Sequence, residues 1–203
     1  TEQAQLQNTG RLVLMRDKDP MQRWVVVACL ATIAYSVVIA LIRFAGSEGE
    51  PGSLRISVSL VAPFVVAALV ALLTHSVGRG RFVMAAGAGI IPAAVISVIA
   101  LPLWIPAIML LVAGWRRTTP GSAKEMAASV FVTIGIFSAM IALLAHRDPL
   151  EWSDGSVDQY SNNTITASES LLSATILGLV IIVALAAARP RAAVEADADD
   201  PDG

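Results

Sequence analysis

The chain has 203 residues, 56% of them apolar and only 15% charged, and a formal net charge of -2. Its mean hydropathy is +0.70. Soluble domains carry roughly a quarter charged residues, so the composition excludes an ordinary water-facing globule. The charge balance argues against a nucleic-acid binder. A single cysteine, Cys29, excludes a disulfide framework and a thiolate metal site. The class that remains is all-α: a polytopic transmembrane helical bundle.

A helix needs about 20 mainly apolar residues to cross about 30 Å of hydrocarbon. Residues Trp24 to Leu41 meet this first, bracketed by Arg23 and Arg43. Trp24 suits the headgroup level, and Arg43 can reach outward along its aliphatic stem. The run is too long for the apolar part of a cleaved leader, so it is expected to persist as a crossing. Ile56 to Thr74 forms the second run, after a Gly-, Ser- and Glu-rich connection from Gly46 to Gly52. Phe82 to Trp115 follows, with no charge in 34 positions. As one helix it would extend about 51 Å, too long for one crossing, whereas two full crossings want about 40 residues. Pro102 and Pro106 disfavour helix just before them, which predicts two short or re-entrant helices turning near Leu101. Ala127 to Ala145 and Leu171 to Ala188 complete about six hydrophobic segments.

The positions of the cations decide between an even and an odd number of passes, because cytoplasmic loops hold the excess of Lys and Arg. If the 34-residue stretch returns to the side it left, one side holds Arg11, Arg16, Lys18, Arg23, Arg79, Arg81, Arg116, Arg117, Lys124, Arg189 and Arg191. Only Arg43, Arg55 and Arg147 lie opposite. A single crossing would instead give seven against seven. Both termini are therefore expected in the cytoplasm. The chain then divides into a cytoplasmic lead-in (1–23), a transmembrane domain (24–188) and an acidic tail (189–203). Outside lie a short loop, 45–55, and a polar one, 146–170. The tail lacks the apolar surface needed to fold and is expected to be disordered. In the lead-in, Leu12 to Met15 among basic residues suit either an interfacial arrangement on anionic lipid or a plain topology signal.

Reactive constellations are not legible. No ionisable residue falls in the middle of a proposed segment, where such groups usually mark function. His75 and His146 fall at segment ends and read as interfacial residues. Hydroxyls at Thr32, Tyr35, Ser36, Ser97, Thr133, Ser138, Ser173 and Thr175 could line a path, yet such groups more often bond to helical carbonyls. Gly87 and Gly89 follow no strand, so a nucleotide fingerprint is rejected. Ala85, Ala86 and Gly89 instead read as small residues that allow close helix contact. The outer acids Asp148, Glu151, Asp154, Asp158 and Glu169 lack EF-hand spacing, and Asn162-Asn163-Thr164 is a weak sequon. Cys29 is expected to pack as a small apolar residue. No catalytic residue, metal ligand or cofactor-binding residue is expected, and no cofactor.

The Ala- and Val-rich composition, the tail AVEADADDPDG and the opening NTGRLVLMRDKDPMQRW resemble small polytopic actinobacterial membrane proteins, of mycobacterial type. Across most of the chain they look similar to a drug/metabolite-transporter-like family, and to accessory subunits of mammalian-cell-entry (Mce) lipid-import systems. The resemblance carries no diagnostic motif, so no functional residue transfers. It implies inner-membrane localisation, contact with membrane lipids and a part in moving hydrophobic compounds. The leading expectation is a non-catalytic accessory subunit working with other integral subunits. The alternative is a small transporter of lipophilic or neutral compounds acting as a homodimer.

Overall fold

A computed structural model describes residues 20–46, 53–96, 98–118, 122–144 and 165–188. The acidic residues of the polar loop up to Asp158, the sequon, His146, Ser97, the segment 12–15 and the acidic tail lie outside them. Six α-helices are described: α1 (Pro20–Ala45), α2 (Ser53–Ser76), α3 (Gly80–Ile96), α4 (Trp104–Arg116), α5 (Ala123–Leu144) and α6 (Ala167–Ala188). A 3-10 turn, Val98–Leu103, joins α3 to α4. No strand occurs among the described residues.

Helix is the outcome these sequences permit in lipid, because every backbone polar group must be satisfied within its own segment. Four helices are long and apolar enough to cross a membrane, over Arg23–Ala45, Ser53–Ser76, Ala123–Leu143 and Ala167–Ala188. Over its described residues the chain is therefore a helical membrane protein. Large apolar side chains project outward from it, including Leu30, Leu41 and Ile42 on α1, Ile105 on α4 and Leu171 and Ile182 on α6. Water would penalise so much contiguous apolar surface, whereas hydrocarbon does not.

Helix α2 packs on α1, α3, α5 and α6, and α3 packs on α2, α4 and α5. These two form the centre, with α1 and α4 closing one side and α5 and α6 the other. Short links make α2 and α3, and α3 and α4, antiparallel. The link from α2 to α3 is the tightest: Gly78 takes φ +73, its N–H donates to the His75 carbonyl, and Arg79 N–H donates to that of Thr74. This is a Schellman ending, which places a glycine where a Cβ would be strained.

The middle stretch does form two short helices, of 17 and 13 residues. The expected single turn near Leu101 is instead the six-residue 3-10 segment. Pro106 is the third residue of α4, where an N–H would have no intrahelical partner anyway. Both hairpin ends meet at one end of the bundle. A Cβ on Gly80 would lie 2.7 Å from the Arg117 carbonyl carbon and 2.8 Å from the Gly114 oxygen. The other end of α3 reaches far. Thr133 of α5 donates to the Ala85 carbonyl at 3.2 Å, and Gly89 faces Ile136, so α3 and α5 run parallel. Ile96 stands as far beyond Ala85 as Leu144 beyond Thr133, so the two helices end at about the same level.

The polar loop expected over 146–170 ends earlier than that, because α6 begins at Ala167. Thr166 and Glu169 form a capping box: Glu169 N–H donates to Thr166 Oγ1 at 3.3 Å, and Thr166 N–H donates to Glu169 Oε2 at 2.7 Å. Glu169 is thus a cap rather than a loop acid. Arg55 belongs to α2 rather than to the first loop. It donates to the Ile165 carbonyl at 3.0 Å, and Ser59 bonds Ser170 at 3.1 Å, which ties α6 to α2.

Candidate functional site

The charged residues described all stand near helix ends, and they are unequally shared between the two ends of the bundle. Arg23, Arg79, Arg81, Arg116, Arg117 and Lys124 gather where α1, α3 and α5 begin and α2, α4 and α6 finish. Glu125 is the described carboxylate at that end. The opposite end has Arg43 and Arg55, with Glu169.

Glycine builds this basic end. Because Gly80 lacks a side chain, the segment Arg79-Gly80-Arg81 abuts the backbone of Gly114 and Arg117. Gly114 returns the approach: a Cβ there would sit 2.7 Å from the Gly80 oxygen and 2.8 Å from Met84 Cα. One turn pair deeper, Gly87 rests against α4, where a Cβ would meet the Ala107 oxygen at 2.7 Å. Two arginine-bearing segments far apart in sequence are thereby pressed together.

His75 closes the seam from the end of α2. It is 6% exposed, and its Nδ1 lies 3.3 Å from Arg117 Nη1. The sequence reading of His75 as a residue facing headgroups is therefore corrected: packing against the hairpin covers it. A guanidinium only donates, so in this contact Nδ1 accepts and carries no proton. Arg79 pairs with Glu125 at 3.4 Å across the start of α5. Glu125 N–H also takes the Ser122 hydroxyl as its cap. Thr118 Oγ1 donates to the Gly114 carbonyl at 2.8 Å and finishes α4. Arg81 is half-buried, and its Nε is enclosed with no hydrogen-bond partner among the described residues.

The remaining polar residues divide into two groups. Thr32 and Thr175 donate to carbonyls one turn back, at 2.9 Å and 2.8 Å. Thr133 bonds both its own helix and Ala85. Ser36 and Ser173 are buried, and their Oγ atoms have no hydrogen-bond partner among the described residues. Cys29 is fully buried as a small apolar residue. Among the described residues no three of His, Cys, Asp and Glu come together as a metal site would require.

Sequence reading used Arg79, Arg81, Arg116, Arg117 and Lys124 only as topology signals. Their convergence, and the pairings of His75 with Arg117 and of Arg79 with Glu125, were missed. The available signal was the flanking of Gly80 by two arginines together with Gly114 shortly before Arg116. No protein-family model, curated protein or solved structure matches this chain.

Proposed function

We propose that the chain is a non-catalytic, multi-pass protein of the inner (plasma) membrane, serving as an accessory subunit of a larger assembly such as a lipid importer. The observation that carries this reading is the closed middle hairpin. Backbone meets backbone at Gly80, Gly87 and Gly114, so α3 and α4 touch directly over the half of the hairpin from Gly80 to Gly87. Around it, small residues such as Ala67, Ala71, Ala86, Ala107 and Ala113 fill the interior, the packing expected of helices braced against one another. The cation excess at one end supports six crossings with both termini cytoplasmic. The level reached by α3 supports counting the hairpin as two short crossings. Mild-detergent purification of the tagged chain should retain further integral membrane proteins. A chain that stays solitary when extracted in native lipid would overturn the proposal.

One observation favours a second reading, a small carrier of lipophilic or neutral compounds acting as a homodimer. The buried hydroxyls of Ser36 and Ser173 lack partners among the described residues, and a hydroxyl in an apolar interior is costly unless bonded. Substrate passing close to them could supply the bonds. Purified protein in liposomes would then conduct a neutral solute unaided, and vesicles that stay tight would remove this reading.

A further inference from the structure

We propose that the basic end of the hairpin is a specific binding site for a phosphate oxyanion, carried by an anionic lipid headgroup or free in solution. The site is the seam where Arg79-Gly80-Arg81 abuts Arg116-Arg117, and it stands whether the protein is a subunit or a carrier.

Three observations carry it. Cations are concentrated beyond what the described acids offset: Arg79, Arg81, Arg116, Arg117 and Lys124 gather there, and the described carboxylate Glu125 is engaged with Arg79 at 3.4 Å. Helix electrostatics do not account for the placement. Arg81 lies in the first turn of α3, which contains no acidic residue, and the start of a helix is its positive end, where a cation is disfavoured. The third observation is burial. Arg81 Nε is enclosed without a hydrogen-bond partner among the described residues, and a guanidinium cannot relieve that by losing its proton. A turn of the half-buried Arg81 side chain toward a phosphate oxygen would satisfy that N–H and offset the surrounding charge at once.

The chemistry suits phosphate. Planar guanidinium groups bind its oxygens in bidentate fashion, giving charge-assisted bonds about twice as strong as neutral ones. His75 Nδ1, 3.3 Å from Arg117 Nη1, accepts a hydrogen bond and holds that guanidinium toward the hairpin without adding a charge in this contact. Trp115, 74% exposed beside Arg116, suits the depth at which lipid phosphates lie. A diffuse basic surface would need neither the enclosure of Arg81 Nε nor the glycine contact that brings the two segments together.

Native mass spectrometry of the full-length chain tests the site, with phosphatidylglycerol and phosphatidylcholine added in turn. The site predicts at least about tenfold stronger retention of phosphatidylglycerol, equivalent to about 1.4 kcal/mol. Arg81→Gln and Arg117→Gln should each remove most of that preference. Arg81→Lys should restore part of it, and Arg43→Gln at the opposite end should leave it intact. An excess of inorganic phosphate separates the sources. Displacement of the lipid together with a rise in melting temperature identifies free phosphate. A lipid that stays bound identifies the headgroup. Equal retention of both lipids by the unaltered chain, which requires no variant to fold, overturns the proposal. So does an unchanged preference in both folded glutamine variants.

Discussion

Gly114 and Gly178 both lie inside helices, yet an added methyl group would act on them in opposite directions. At Gly114 the Cβ would press into the Gly80 oxygen and the Met84 backbone, neither of which can rotate away. At Gly178 nothing lies within 4 Å. Gly114→Ala is expected to destabilise the fold by about 1–3 kcal/mol, the usual cost of overpacking. Gly178→Ala should stabilise it by about 0.5–1 kcal/mol through helix propensity. Unfolding in mixed micelles titrated with denaturing detergent reads both. If Gly114→Ala proves neutral, the close approach of α3 and α4 is wrong. Thr133 shows a related dependence on context, since its hydroxyl bonds within α5 and also reaches Ala85 of α3.

At the scale of elements, the pairing of α2 with α6 rests on a few contacts at one end. Arg55 holds the Ile165 carbonyl, and Ser59 and Ser170 bring their oxygens to 3.1 Å. Sulfur atoms at those two positions would be close enough to bond with little movement. The double variant Ser59→Cys/Ser170→Cys, made with Cys29→Ala, is expected to form an intramolecular disulfide on mild oxidation. Its mobility on a non-reducing gel should increase relative to the reduced form. Failure to cross-link under conditions that oxidise other membrane cysteines would mean that α6 is not docked in this register. The hairpin α3–α4 is positioned differently, by contact along its length. It needs no long loop, because α3 is short and the 3-10 segment turns the chain directly.

For the whole molecule, the decisive property is which ends share a side. The meeting of Gly80 with Gly114 and Arg117 returns the uncharged stretch to the end where it started. Four long helices and one such hairpin leave an even count of passes, six if the hairpin spans the bilayer and four if it only re-enters. Single cysteines at Gly121 and at Glu48, in a Cys29→Ala background, should then label from opposite sides of intact cells. Position 121 should react only with permeant reagents, and position 48 with impermeant ones as well. External labelling at 121 would invert the orientation and remove the cytoplasmic assignment of the basic end.

By itself the sequence determined the class, the four long helices and the existence of a paired middle, because uninterrupted apolar runs near 20 residues admit helix and little else in lipid. It also held signals read only afterwards, such as the Thr166–Glu169 capping box that moved the start of α6 to Ala167. Helix boundaries near Arg43 and Arg55 were drawn too short, because long basic side chains extend past an apolar run without ending its helix. Tertiary structure alone decided what Gly80 and Gly114 do, that His75 is covered, and that two arginine pairs form one seam. Residues 79–81 and 116–117 are more than thirty positions apart, and hydropathy has no term for two backbones that touch because each lacks a Cβ.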